Sequence, residues 1–281
     1  FNGFFEDKNI NIISKQFGLF DVITANNVFA HNRDLNKFIK NMSYLLKEDG
    51  LISIEVQYLP SLINNCFIDM IYHEHTSYHH FKPLNKLFKE CSLTLNSVSD
   101  IPTHGGSMRI ILNNSSDNMI LFENKDKTKN FLKLDNIFDR QILNKFEILK
   151  SKVENIKVSL NKSIRILTEK YPLIYGYSAP AKTVTLLSLL EKDIINKIEF
   201  IIEDNDLKQG KYIPKTKIQL ISSIEAIEKI ENKKSACIIF AWNMFEELSK
   251  KIMLNPKLNP DALISPLPYP TIREINYNNN I

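Results

Sequence analysis

The chain has 281 residues, more than one hydrophobic core usually serves, so the length favours two compact domains. Hydrophobic residues make up 43% and charged residues 24%, which excludes a disordered chain. The net charge of +4, from 36 basic and 32 acidic residues, is too small to argue for nucleic acid but suits an anionic small molecule. No run of about 18 apolar residues marks a membrane span, and no basic-then-apolar start marks a signal peptide. Cys66, Cys91 and Cys237 are isolated and fit neither a disulfide framework nor a thiolate zinc site, so the expected location is the cytoplasm.

Seven glycines punctuate the chain, and each is expected at a turn or a close backbone approach. An open α/β sheet should begin with a strand and a glycine-rich turn. The chain opens instead with Phe1-Asn2-Gly3-Phe4-Phe5, so the sequence is expected to begin inside a domain. The apolar run Asp21 to Asn27 predicts a buried parallel strand with a site at its C-terminal end. Asp34 to Leu46 predicts an amphipathic helix, with Leu35, Phe38, Ile39, Met42 and Leu45 at helical spacing and Gly50 at its stop. Leu51 to Val56 is the next strand. Ligands of such sheets lie beyond the carboxyl ends of the strands, which makes Asn26, Asn27 and Glu55 candidate site positions.

Phe146, Leu149, Val153, Ile156, Leu160, Ile164 and Leu167 recur every three or four residues and predict one long helix over Phe131 to Lys170. Strand and helix alternation then resumes, with strands at Leu173 to Tyr177, Lys197 to Ile202, Ala236 to Ala241 and Ala262 to Ser265. Helices are expected from about Ala181, over Ile224 to Ile230 and over Phe245 to Leu254. A second, smaller Rossmann-like α/β unit is the economical interpretation. The tail Asn276 to Asn280 is expected to be loose.

All six histidines lie within the first 104 residues, and five of them fall in Tyr72-His73-Glu74-His75-Thr76-Ser77-Tyr78-His79-His80 and Thr103-His104-Gly105-Gly106-Ser107. Histidine and glutamate flanked by tyrosines supply what proton abstraction next to a carbonyl needs: a base titrating near neutrality, an orienting carboxylate, and hydroxyl donors for the developing enolate. Two plainer interpretations compete. The histidines are solvated loop residues, or His73, His75 and a third ligand such as His79 hold a metal, although the one-turn spacing of HExxH is missing. Farther on, Gly176 to Lys182 joins a strand to a helix through small residues. Pro180 suits a first helical turn, and Ser178, Ala179, Pro180 and Lys182 are expected to face a diphosphate. The same segment, with Glu203 and Asp204 ending the next strand, keeps a dinucleotide-binding alternative open, against which stand Ser178 and Ala181 at two of the glycine positions.

Four ordered motifs carry a family resemblance: Asn26-Asn27-Val28-Phe29-Ala30-His31, Tyr72-His73-Glu74-His75 with Ser77-Tyr78, Thr103-His104-Gly105-Gly106-Ser107-Met108-Arg109, and Gly176-Tyr177-Ser178-Ala179-Pro180-Ala181-Lys182. From Gly3-Phe4-Phe5 to Trp242-Asn243 the chain resembles the sugar C-methyltransferases, which methylate C3 of nucleotide-linked sugars. The resemblance implies the second half of a class I methyltransferase Rossmann-like sheet over residues 1–125, a connecting helix over 126–170, and a Rossmann-like C-terminal domain over 171–281. It implies S-adenosylmethionine as cofactor, against Phe4, Asn27 and Val28, with no metal in this chain; zinc belongs to an N-terminal domain that this sequence lacks. It implies His75 as the base that removes the C3 proton of a 4-keto sugar, with Glu74 and Tyr72 beside it and His31 facing the same cavity. Tyr78, His104, Gly105, Gly106 and Ser107 join Ser178, Ala179, Pro180 and Lys182 around a small-molecule nucleotide sugar, with no nucleic-acid or membrane partner. The competing functions are a silent nucleotide-sugar-binding fragment and an NAD-dependent reductase.

Overall fold

A computed structural model describes residues 1–114 and 125–275. The expected loose tail lies outside these residues. The chain divides into two units, Phe1–Asn65 with His73–Leu149, and Cys66–Tyr72 with Lys150 onward.

In the first unit, helix α1 (Asp7–Phe17) ends where Gly18 takes a positive φ of 76° and returns its N–H to the Ser14 carbonyl. Strand β1 (Phe20–Asn26) follows, then helix α2 (Leu35–Leu45), whose N-cap Asp34 accepts the Lys37 N–H. Phe38, Ile39, Met42 and Leu45 form its buried face, as the spacing predicts. Gly50 does not stop this helix. The chain reverses at once into β2 (Leu46–Gln57), in which Leu46 pairs with Phe20 but Leu51 pairs with Val22. Residues 47–50 are therefore an insertion in the ladder, with Lys47 bound to Asp21 across it.

Helices α3 (Leu59–Asn65) and α4 (Phe81–Glu90) precede an antiparallel pair, β3 (Thr94–Ile101) and β4 (Ser107–Asn113). The sheet order is β1-β2-β4-β3, with β1 parallel to β2 and β4 antiparallel to both of its neighbours. This is the second half of a class I methyltransferase sheet. On β4 the alternating Met108, Ile110 and Leu112 are fully buried, and they meet Ile52 and Ile54 of β2 and Phe81 and Phe88 of α4 in one core. The long helix α5 (Lys125–Lys170) sends Phe131 into it.

The second unit is built on β5 (Leu173–Tyr177), α6 (Thr183–Leu187), α7 (Lys192–Ile195), β6 (Ile198–Ile202), β7 (Gln219–Ile221), α8 (Ser223–Ile230), β8 (Ser235–Ile239), α9 (Phe245–Met253), β9 (Ala262–Ser265) and β10 (Thr271–Glu274). Its order is β10-β9-β8-β5-β6-β7, parallel except for the edge strand β10. Read from β7, the parallel strands run third, second, first, fourth, fifth, the doubly wound order whose switch point lies between β5 and β8. Strands β5, β8 and β9 are buried along their whole length, as strands covered on both faces should be. A capping box between Ser222 and Glu225 starts α8. No helix among the described residues is long and apolar enough to cross a membrane.

Gly176 sits in the middle of this sheet because nothing larger fits: a Cβ there would lie 2.6 Å from the Phe240 ring and 2.7 Å from Ile201. Gly176→Ala is expected to lower unfolding stability by about 1–3 kcal/mol through overpacking. Urea denaturation checks this, and an unchanged midpoint would show that the ring yields.

Candidate active site

The first unit gathers its polar groups at the C-terminal ends of β1 and β2. Asn27, just past β1, takes a left-handed φ of 55° and gives its N–H to the Glu55 carbonyl at 2.9 Å. The chain then makes one 3-10 turn over Phe29–His31, burying Phe29 and Ala30 and leaving His31 exposed. Thr76 fastens the histidine-rich segment to this turn, because its N–H and its hydroxyl both donate to the Ala30 carbonyl at 2.9 Å.

That clasp sets His31 against the segment. Its Nδ1 lies 3.0 Å from the Glu74 carbonyl, and since a carbonyl only accepts, Nδ1 carries the proton. The His31 and His75 rings are 5.0 Å apart, edge to face, and the Tyr78 ring stands 6.0 Å from His75. Three of the expected residues therefore form one cluster. The Glu74 carboxylate lies 4.0 Å from His73 Nε2 in an exposed pair, while Tyr72 belongs to the residues of the second unit.

Beside the cluster is a mainly apolar cavity of about 500 Å³, walled by Phe4, Phe5, Ala25, Val28, His31 and Phe38 among others. Phe4 and Val28, expected against the cofactor, line it together with His31. Asn27 is joined to β2 by its N–H bond to the Glu55 carbonyl. The Glu55 carboxylate is buried, accepting from Arg109 Nη2 at 2.9 Å and from the Thr103 hydroxyl at 2.8 Å. Burial presses its pKa upward, but the bonds from Arg109 and Thr103, the Arg109 charge and Asn27 together hold it below the usual carboxylate value.

Thr103 opens the turn that carries His104, at φ 51°, and Gly105. Gly106 has a φ of 123°, and a Cβ there would lie 2.5 Å from Ser61, so this glycine is demanded by the backbone. Ser107 is fully buried and closes the turn by donating to the Thr103 carbonyl at 3.0 Å. His104 is exposed.

His79 and His80 are a different matter. His79 is buried edge-on to Phe29 with Nε2 at 2.9 Å from the Ser77 hydroxyl, and its pKa is pushed down to about 4 by burial and by the charges of His80 and His75. His80 is buried with Nδ1 3.3 Å from Asp135, a residue of α5 that also accepts from the Tyr58 hydroxyl and from the N–H groups of Phe81 and Lys82. Asp135 thus caps α4 from another helix. Burial raises its pKa, and the His80 and backbone bonds overcome this and lower it. The sequence held a signal for it, a carboxylate falling between Phe131 and Phe138 on the apolar stripe of the long helix. Among the described residues no three His, Cys, Asp or Glu side chains are grouped to hold a metal.

In the second unit, Ser178 follows β5 with a left-handed φ of 64° and gives its N–H to the Ile202 carbonyl at 2.8 Å. The Ala179 N–H donates to the Glu203 carboxylate at 3.0 Å, and Glu203 also accepts from the Asn205 N–H and from Lys208. Two N–H groups expected to face a diphosphate therefore point inward, and the acid required by a dinucleotide-binding alternative is engaged by the protein itself. Pro180 is half-buried. Lys182 turns to Asp69 at 3.0 Å and lies over the Trp242 ring.

Residues 102–268, more than half of the chain, match the family profile described as the C-methyltransferase C-terminal domain, and residues 4–98 match that of a methyltransferase domain. The chain belongs to the C-methyltransferase family. Within this chain the two matches meet just before the His104 turn, so β4, which pairs with both β2 and β3, falls in the C-terminal match. The chain is 26% identical over 262 residues to C-methyltransferase NovU of Streptomyces niveus, covering 92% of this chain and 60% of that protein. It thus spans about 60% of the length of the curated relative it matches. A solved O-methyltransferase family protein from Burkholderia thailandensis is similar at 16% identity over 42% of this chain and 36% of that one, with a TM-score of 0.31.

The buried His79 sets a pH dependence for the stability of the protein. Its folded pKa, about 4, lies below the ordinary 6.5, so the unfolded chain takes up the proton first. The stability it contributes is present above pH 6.5 and is lost as pH falls towards 4, on the order of 3 kcal/mol. Denaturation midpoints between these pH values should drop in the wild type and drop less in His79→Gln. Parallel slopes would refute the assignment.

Proposed function

We propose that this member of the C-methyltransferase family methylates C3 of a nucleotide-linked 4-keto-deoxysugar through an enolate, with His75 as the base and S-adenosylmethionine as methyl donor. The observation that carries the proposal is the His31, His75 and Tyr78 cluster adjoining the cavity walled by Phe4, Val28 and His31 at the end of a parallel strand. A largely aromatic and aliphatic wall with a few polar groups suits a nucleoside carrying a methionine tail. S-adenosylmethionine, when bound there, supplies an electrophilic methyl group on a sulfonium.

The imidazole of His75 takes the C3 proton, and the electrons of that C–H bond become the C3–C4 double bond as the C4 oxygen gains charge. The hydroxyl of Tyr78, and that of Tyr72 three residues before the base, are the donors for that oxygen. His31, whose Nδ1 proton is held by the Glu74 carbonyl, fixes the backbone beside the base, so that orientation and charge stabilisation supply most of the rate. S-adenosylmethionine, held against Phe4 and Val28, would give its methyl group to C3 as the sulfonium C–S bond breaks and would leave as S-adenosylhomocysteine. The exposed His104 and the turn through Gly105 and Gly106 are assigned to the sugar, with Ser107 closing that turn. Ser178, Ala179 and Pro180 are assigned to the nucleotide end through their side chains, since the Ser178 and Ala179 N–H groups are bonded within the protein. The proposed ligand is a small anionic molecule, in keeping with the net charge of +4, and the proposed compartment is the cytoplasm.

His75→Asn is expected to slow methyl transfer about 10²–10⁴-fold, the usual loss for a general base, while cofactor affinity stays near wild type. Steady-state kinetics with labelled S-adenosylmethionine decide it, and near wild-type turnover would remove His75 from the chemistry. With S-adenosylhomocysteine bound, the wild-type protein is also expected to exchange the sugar C3 hydrogen for solvent deuterium, Tyr72→Phe more slowly, and His75→Asn not at all. Methylation on oxygen or nitrogen with no deuterium at C3 would overturn the enolate.

A further inference from the structure

The turn between β3 and β4 is held in a strained backbone. His104, Gly105 and Gly106 take φ of 51°, 84° and 123° in succession, and the first of them is not a glycine, so a left-handed conformation is kept there against its steric cost. Such a conformation persists where its surroundings over-determine it. The Gly106 N–H and the Ser107 hydroxyl both donate to the Thr103 carbonyl at 3.0 Å, and the Gly106 carbonyl accepts from the Tyr58 N–H at 3.1 Å.

Glu55 grips both flanks of this turn. It stands directly opposite Arg109 in the ladder of β2 and β4. One carboxylate oxygen accepts from the Thr103 hydroxyl at 2.8 Å and the other from Arg109 Nη2 at 2.9 Å. Thr103 immediately precedes His104, and Arg109 lies just beyond the turn in β4. All of these residues belong to the first unit, and every link between them is a direct bond. Glu55 is buried with both oxygens engaged, so it is not placed to meet a ligand itself, whereas His104 is exposed. A buried ion pair is weak grounds for stability. What two charge-assisted bonds from opposite sides of a turn supply is a single geometry for the residue presented between them.

We propose that Glu55 is a positioning residue which, through Thr103 and Arg109, holds the His104–Gly106 turn in the backbone geometry that receives the sugar. This rests on the assignment of that turn to the sugar.

Glu55→Gln keeps the volume and an acceptor for Thr103 but removes the charge facing Arg109. Thr103→Val removes the hydroxyl at nearly equal size, and Thr103→Ser retains it on an exposed residue that the fold does not depend on. With the nucleotide-linked 4-keto-deoxysugar that the wild-type protein methylates, the sugar KM is expected to rise roughly tenfold or more in Glu55→Gln and roughly threefold or more in Thr103→Val, while the KM for S-adenosylmethionine stays within about twofold. Thr103→Ser should recover most of the loss seen in Thr103→Val. In the variant carrying both Glu55→Gln and Thr103→Val the rise should be smaller than the product of the two single effects, because both remove one shared contact. Amide exchange over residues 102–107 is expected to quicken in Glu55→Gln and Thr103→Val while peptides of α2 and α4 keep wild-type protection. Four results would overturn the proposal: an unchanged sugar KM, unchanged exchange over the turn, faster exchange throughout the first unit, or Thr103→Ser as impaired as Thr103→Val. A wild-type protein that methylates no sugar carbon sinks the proposed reaction and this role together. An active wild type whose variants bind the sugar as well as it does sinks the role alone.

Discussion

Both units depend on one backbone device. Each sheet's first parallel strand ends in a non-glycine residue turned left-handed, Asn27 after β1 and Ser178 after β5, and in each the N–H is tied to a carbonyl of the neighbouring parallel strand, Glu55 or Ile202. Holding such residues at positive φ costs of order 1 kcal/mol. The hydrogen bond to the next strand offsets that cost, and the result is a sharp exit that leaves the strand ends open. The cavity walled by Phe4, Val28 and His31 lies at the end of β1.

Buried carboxylates then fix what surrounds those exits. Glu55 binds Thr103 and Arg109, Asp135 binds Tyr58, His80 and the start of α4, Glu203 binds the Ala179 N–H and Lys208, and Asp69 binds Lys182 and Trp242. Each is desolvated, and each gains charge-assisted hydrogen bonds from segments distant in sequence. They connect loops that carry the candidate chemistry to neighbouring strands and helices.

The histidine cluster shows how one compositional signal divides into unlike roles. His31 and His75 face each other next to a cavity, His79 is held neutral by burial, and His80 supports a helix cap through Asp135. The enolate assignment draws on the first pair only. The other two explain part of the clustering through the packing of α4 and α5.

The sequence by itself determined the strands that are continuous apolar runs, the amphipathic face of α2, the long helix α5 and the second Rossmann-like unit, because burial on one or both faces leaves a periodic local pattern. It also marked the strand ends and the order of four motifs that point to the C-methyltransferases. Tertiary structure alone decided the antiparallel insertion of β4 between β2 and β3, which follows from pairing partners as far apart in sequence as Leu51 and Asn113. It alone decided that Lys182 turns to Asp69, that Gly106 answers to Ser61, and which histidines face a cavity. These outcomes depend on where a desolvated charge or a crowded backbone finds its partner in space, and such partners leave no period in the chain.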